Sequence, residues 1–178
     1  MEISSYPYHF VKRFDEPSNG SSSDFMRYRL LYSFRSPKSH QWYWVWVEAY
    51  EHDMYAIKFH LKAHRDSPNK YTIMTGLCEP RPVINTCVNI MLQIASTNPS
   101  ASFGFVGAAS PGEPKGPTKR FRFYSNTMAY YFSDKEFLHF SDEEKSTYIM
   151  LRRRCVEENP NILSVLEKGF KAMYSYFD

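Results

Sequence analysis

The chain has 178 residues, a length that suits one domain, and its 43% hydrophobic and 17% aromatic content specifies a packed globule and excludes a disordered chain. A formal charge of +3 with a pI near 8.7 permits an anionic partner without requiring one, because a nucleic-acid footprint depends on how cations cluster. Cys78, Cys87 and Cys155 are odd in number, scattered and without CxxC spacing, so neither a disulfide framework nor a cysteine zinc site is readable.

The opening MEISSYPYHF lacks the basic and apolar regions of a signal peptide, and no apolar run reaches the ~18–20 residues of a membrane span. The expectation is a reduced, cytoplasmic protein with no membrane partner. The polar, turn-rich DEPSNGSSSD predicts a flexible loop over 15–24. Three strands are expected next, at Arg27 to Phe34, Trp42 to Tyr50 and Met54 to Leu61. Their aromatic and β-branched content and the short breaks RSPKSH and EHD predict an antiparallel meander. In the middle strand Trp42, Trp44 and Trp46 share one face, and Tyr43, Val45 and Val47 share the other. Both faces are bulky and apolar, which predicts a central strand covered on both sides or an interface on one.

No charged residue lies between Pro82 and Gly112. Within this stretch PVINTCVNIMLQIAS predicts a helix from Pro82 to Ser96. Ile84, Cys87, Val88, Met91, Ile94 and Ala95 make its apolar stripe, and Asn85, Asn89 and Gln93 its polar one. With no charge on its outer face it is expected to be largely buried. Ala101 to Ala108 reads as a buried strand, and 109–117 as a Pro/Gly-rich loop. Thr118 then caps a helix to about Phe132, with Phe121, Tyr124, Met128 and Tyr131 on one face. EFLHF reads as a short strand. Ser141 with Glu144 forms a capping box for a helix to about Glu157, and a last helix runs from Asn161 to about Tyr176 with Ile162, Leu166, Phe170, Met173 and Phe177 as its stripe. The fold class is α+β in a single domain: an antiparallel meander of about three strands extended into a mixed sheet, helices packed on it, and two C-terminal helices.

Lys115, Lys119, Arg120 and Arg122 converge on the amino end of the helix that starts after Thr118. Unpaired N–H groups already make that end positive, so the cations are better placed if an anion binds there. Asn126 continues the Lys119–Arg122 stripe. Lys115, Thr118, Lys119, Arg120, Arg122 and Asn126 are thus a candidate site for nucleic acid or another phosphate-bearing partner; the competing reading is a solvated helix face. Arg152, Arg153 and Arg154 form a second basic cluster, expected in the last turns of a helix where cations complement the dipole.

His60, His64 and Asp66 superficially suggest metal ligands, but His60 ends a strand and no Glu base lies in the motif, so no metal or other cofactor is expected. Cys87 lies on the apolar stripe of its helix and reads as core, while Cys78 precedes EPRP in a loop. No GxxxxGK[ST], GxSxG or HExxH occurs.

The meander, then a helix, a buried strand and a helix carrying RFRFY resemble the second half of the GCN5-related N-acetyltransferase fold over residues 27 to 132. In that family a late helix often carries an aromatic FY pair whose tyrosine is the general acid. The resemblance implies that role for Tyr124, with acetyl-CoA as the acyl donor. The family's acyl-CoA loop, Gln/Arg-x-x-Gly-x-Gly/Ala, has no counterpart in GLCEPRPVIN, which lacks the glycine pair that lets backbone approach a pyrophosphate. More loosely, the strand, Gly-containing loop and Thr-Lys/Arg helix start are similar to small bacterial proteins of unknown function. The favoured expectation is a binding or accessory protein that engages a phosphate-bearing partner at the basic helix start. The alternatives are an acyltransferase-like enzyme, and an oligomeric or protein-binding structural component using the Trp-rich strand or the C-terminal helix.

Overall fold

Within residues 4–15, 25–110 and 112–173, which the computed structural model describes, the chain forms a seven-stranded mixed sheet with four helices. The elements are β1 (Tyr8–Asp15), β2 (Met26–Arg35), β3 (Trp42–Tyr50), β4 (Met54–Leu61), α1 (Pro80–Thr97), β5 (Ser102–Val106), α2 (Lys119–Tyr131), β6 (Phe137–Asp142), β7 (Thr147–Arg152), α3 (Arg153–Glu158) and α4 (Ile162–Met173). The sheet order is β1-β2-β3-β4-β5-β7-β6. All neighbours are antiparallel except β4 and β5, which are parallel. This is the expected α+β class with an antiparallel meander at its start. The expected loop over 15–24 lies, beyond Asp15, outside the described residues, as do Pro111 in the Pro/Gly-rich loop and Tyr176 and Phe177 at the end of the last helix.

The meander has four strands. β1 pairs along β2 with an irregularity between Phe10 and Lys12, where the side-chain alternation slips. Tyr43, Val45 and Val47 of β3 face a core closed by α1 and α2, and all three are buried. The opposite face is covered at one end by α4, whose Ile162, Leu166 and Phe170 pack on Tyr50, Met54 and Leu151. Burying a side chain such as Leu166 stabilises the fold by about 1.5–3 kcal/mol. At the other end of that face Trp42 stays exposed, and Trp44 and Trp46 are half-buried.

α1 is as buried as its lack of charge predicts, with a specific cover for its polar stripe. Asn85 Nδ2 donates to Ser4 O and Asn89 Nδ2 to Ser5 Oγ, while the Tyr6 N–H donates to Thr86 Oγ1 and Tyr8 OH to Gln93 Oε1. The N-terminal segment therefore lies along this helix. Uncharged amides suit the place because each finds a partner without the cost of burying a charge.

The region after α2 differs from expectation. The helix expected over Ser141–Glu157 is a hairpin of β6 and β7 followed by the short α3. The capping-box pattern loses because 147–152 is β-branched and apolar on both faces. Tyr148 and Met150 turn to the α1/α2 core, and Ile149 and Leu151 to the α4 side. Asp142 Oδ1 instead accepts the Lys145 N–H inside the hairpin turn, and Ser146 takes a positive φ of 51°. Arg152 accordingly ends a strand, and Arg153 and Arg154 begin α3, so none sits in a helix's last turns. No helix among the described residues is long and apolar enough to cross a membrane.

Candidate functional site

The site follows from the one parallel pair in the sheet. β4 and β5 are in register only over Met54–Ala56 and Ser102–Gly104. Beyond that point Ile57–Leu61 and Phe105–Val106 have no strand partner on the sides that face each other. The strands diverge there, and a cleft of about 1670 Å³ opens between them. Its lining is mainly apolar side chains of β4, α1, β5 and α2, with loop 70–79 as one wall and the start of α2 at its rim. Unpaired strand edges add main-chain donors and acceptors to that lining.

Tyr124 of α2 spans the gap. Its ring lies 6.4 Å from that of Phe59 on β4 and 5.4 Å from that of Phe105 on β5. Its hydroxyl has no hydrogen-bond partner among the described residues. Burial pushes its pKa up to about 12, with the Arg120 charge pulling weakly the other way. The phenol therefore stays protonated at neutral pH and serves as a donor. Tyr148 also lines the cleft, but its hydroxyl is bound 2.7 Å from His139 Nδ1.

The basic cluster does not act as one group. Thr118 is buried. Its Oγ1 donates to Gly107 O at 2.6 Å and accepts the Phe121 N–H at 3.0 Å, so it is the expected cap with a saturated hydroxyl. The Arg120 guanidinium donates to the carbonyls of Tyr71, Thr72 and Ile73 and so fixes the loop wall of the cleft. Arg122 and Asn126 are exposed on α2 away from the cleft. Lys115 and Lys119 are exposed at its rim and form no ion pair among the described residues.

The anion expected at this helix end is supplied by the chain itself. Glu113 accepts the Lys119 N–H at 2.7 Å and the Ser110 N–H at 2.9 Å. These backbone bonds, with the nearby Lys119 and Arg120 charges, hold its carboxyl below the usual range.

A second carboxylate belongs to Glu79, the residue before α1, and makes no hydrogen bond to the helix's own N–H groups. Glu79 is 4% exposed and accepts hydroxyls from Ser36 (2.5 Å), Ser39 (2.7 Å), Tyr43 (2.8 Å) and Tyr6 (3.0 Å). Burial works against its charge, but the four hydroxyl donors outweigh it and lower the pKa. Directly after it Pro80 and Pro82 remove two of the first three helical N–H groups. Neither Glu79 nor Glu113 emerges from sequence reasoning, although each is an acid beside a helix start, Glu79 immediately before Pro80 and Glu113 inside the proline-rich loop.

Most of the remaining candidates are held by structural partners, while the buried His64 Nδ1 has no hydrogen-bond partner among the described residues. Arg152 stacks 4.3 Å from the Phe137 ring, Arg153 donates to Asp134 O, and Arg154 pairs with Glu158 at 3.4 Å. Both His60 nitrogens are engaged: Trp46 Nε1–H donates to Nε2, so Nδ1 carries the proton and donates to Leu61 O. Burial lowers the pKa of His60. Asp66 is exposed beside Arg65, and the described residues bring no three His, Cys, Asp or Glu side chains together as a metal group. Cys87 is in the core, where burial pushes its thiol up to about 12, while Cys78 is exposed. A comparison with protein-family models, curated proteins and solved structures finds no match to the chain.

Proposed function

We propose that the β4–β5 cleft binds a small acyl-type ligand, an apolar body with an anionic end. Tyr124 donates a hydrogen bond inside the cleft, and Lys115 and Lys119 attract the anionic end at the rim. The observation that carries this reading is the Tyr124 hydroxyl, protonated and without a partner among the described residues at the point where the two strands part. The apolar lining supplies the affinity and the few polar groups supply orientation. Two cations at the rim without ion pairs among the described residues, beside an α2 end whose carboxylate Glu113 is already committed, favour an anion at the mouth over one seated on the helix.

The element order and the place of Tyr124 also support acyl-group chemistry, through the resemblance to the acetyltransferase fold. A coenzyme A diphosphate does not fit the start of α1. The buried Glu79 carboxylate is there, two of the first three N–H groups are missing at prolines, and no glycine pair lets the backbone approach. The ligand is therefore an acyl compound held by its chain and its acid end, and no transfer step through coenzyme A is assigned.

Anilinonaphthalene sulfonate, an apolar dye with an anionic end, tests the reading by fluorescence titration. One dye should bind per chain and be displaced by decanoate. Decanol should displace it about tenfold less well, and Tyr124→Phe should weaken 3-oxodecanoate, which adds a carbonyl acceptor inside the cleft, by a similar factor. Acetyl-CoA should compete no better than pantetheine. Absence of displacement, or equal displacement by decanol and decanoate, would overturn the reading.

A further inference from the structure

A second surface adjoins the cleft at Lys70 and Tyr71 and spreads over the sheet face opposite the α1/α2 core. All three tryptophans of the chain are there, with Trp42 43% exposed. Phe14 of β1 and Tyr71 of the loop extend the row, and cations sit against nearly every ring. Lys12 Nζ is 5.0 Å from the Phe14 centroid, Arg29 5.3 Å from Trp46, Lys62 5.7 Å from Trp44, and Lys70 5.4 Å from Tyr71. Among the described residues the strands β1–β4 place a single carboxylate on this face. That group, Glu48, is buried and paired with Lys58 at 2.9 Å. The part of the face that carries the tryptophans is not covered by α4, which packs on Tyr50 and Met54 at the other end.

We infer that this face is a docking surface for single-stranded nucleic acid, with bases stacking on the tryptophan rings and phosphates meeting Lys12, Lys62 and Lys70. Aromatic rings interleaved with exposed cations on an open sheet face match the needs of an unpaired strand, whose bases offer π-faces and whose backbone is a line of negative charge. A second copy of the chain fits poorly. A two-fold contact would bring these lysines against their own counterparts. An acidic peptide would satisfy the lysines and leave the rings without a stacking partner. A duplex keeps its bases stacked inside and offers the rings nothing flat.

Because every tryptophan is on this face, intrinsic fluorescence reports on it selectively. Titration with a 20-nucleotide oligothymidylate at 50 mM NaCl should quench the emission saturably, and raising salt to 200 mM should weaken the affinity at least tenfold. The triple variant Lys12→Glu, Lys62→Glu, Lys70→Glu changes exposed or half-exposed side chains and should keep the wild-type circular dichroism while losing at least tenfold in affinity. Trp42→Ala, at the most exposed ring, should also weaken binding about tenfold with the fold intact. The inference is overturned by absent quenching, by polyglutamate quenching as strongly at equal charge concentration, or by unchanged oligothymidylate affinity in the triple variant.

Discussion

Replacing Glu79 with alanine should cost about 3–5 kcal/mol of stability. The carboxylate takes four hydroxyl donors, and two of their residues, Ser36 at 0% and Tyr43 at 3% exposure, have no water to turn to when it is removed. Each buried donor left unmade costs about 1–3 kcal/mol, and removing one member of a buried charged network costs about 3–5 kcal/mol in total. For a chain of this length that is a fall in Tm of about 10 °C. Glu79→Gln keeps the shape and one good acceptor and should lose about half as much.

The pH dependence has a definite sign. The folded pKa is depressed, so the ionised carboxylate contributes stability that is fully present above its unfolded value near ~4.3 and is lost as pH falls through the folded value. The gap between wild type and Glu79→Gln should be widest near neutrality and close below about pH 4. Urea denaturation followed by circular dichroism, with m unchanged, measures both. A loss below about 1 kcal/mol for the alanine variant, or a gap that widens in acid, would refute the role given to Glu79.

Gly107→Ala should destabilise by about 1–3 kcal/mol, since a Cβ there would lie 2.6 Å from Phe121 backbone, and denaturation against wild type checks it. Arg120→Ala frees the carbonyls of 71–73 and should speed trypsin cleavage after Lys70 several-fold, read by mass spectrometry of timed digests. Thiol alkylation of the native protein should modify Cys78 fastest and spare Cys87 until urea is added, because only the first is exposed and the second is held protonated in the core.

Much of the fold is legible in the residues because periodicity reports burial. α1 and the α2 stripe of Phe121, Tyr124 and Met128 stand where their apolar spacing puts them, and the alternation of β3 sorts its core face from its tryptophan face. β1 is hidden for a physical reason. Its pattern YHFVKRFD carries three charges and slips phase between Phe10 and Lys12, and its residues are mostly exposed at a sheet edge. β7 is hidden because SDEEKS imitates a helix start, and the pairing of 147–152 with both β5 and β6 decides against it.

At the site, Lys119 is visible in the basic run at the helix start, and Tyr124 is singled out only by the resemblance to the acetyltransferase fold. The division of labour in the basic cluster is not visible, because Arg120 and Glu79 act through partners far away in sequence. Ser36 lies 43 residues from Glu79, and Tyr71 lies 49 residues from Arg120. A carboxylate in a loop leaves no periodic trace, so Glu113 at the start of α2 and Glu79 in its hydroxyl network appear only when the chain is folded.

The claim that the β4–β5 cleft holds an acyl-type anion is tested most directly by amide chemical-shift mapping of the labelled protein titrated with decanoate. The account predicts saturable shifts confined to 57–61 of β4, the 70–79 wall, 83–91 of α1, 105–109 and the first turns of α2, with β1 unmoved. Shifts centred elsewhere, or none at saturating decanoate, would contradict it.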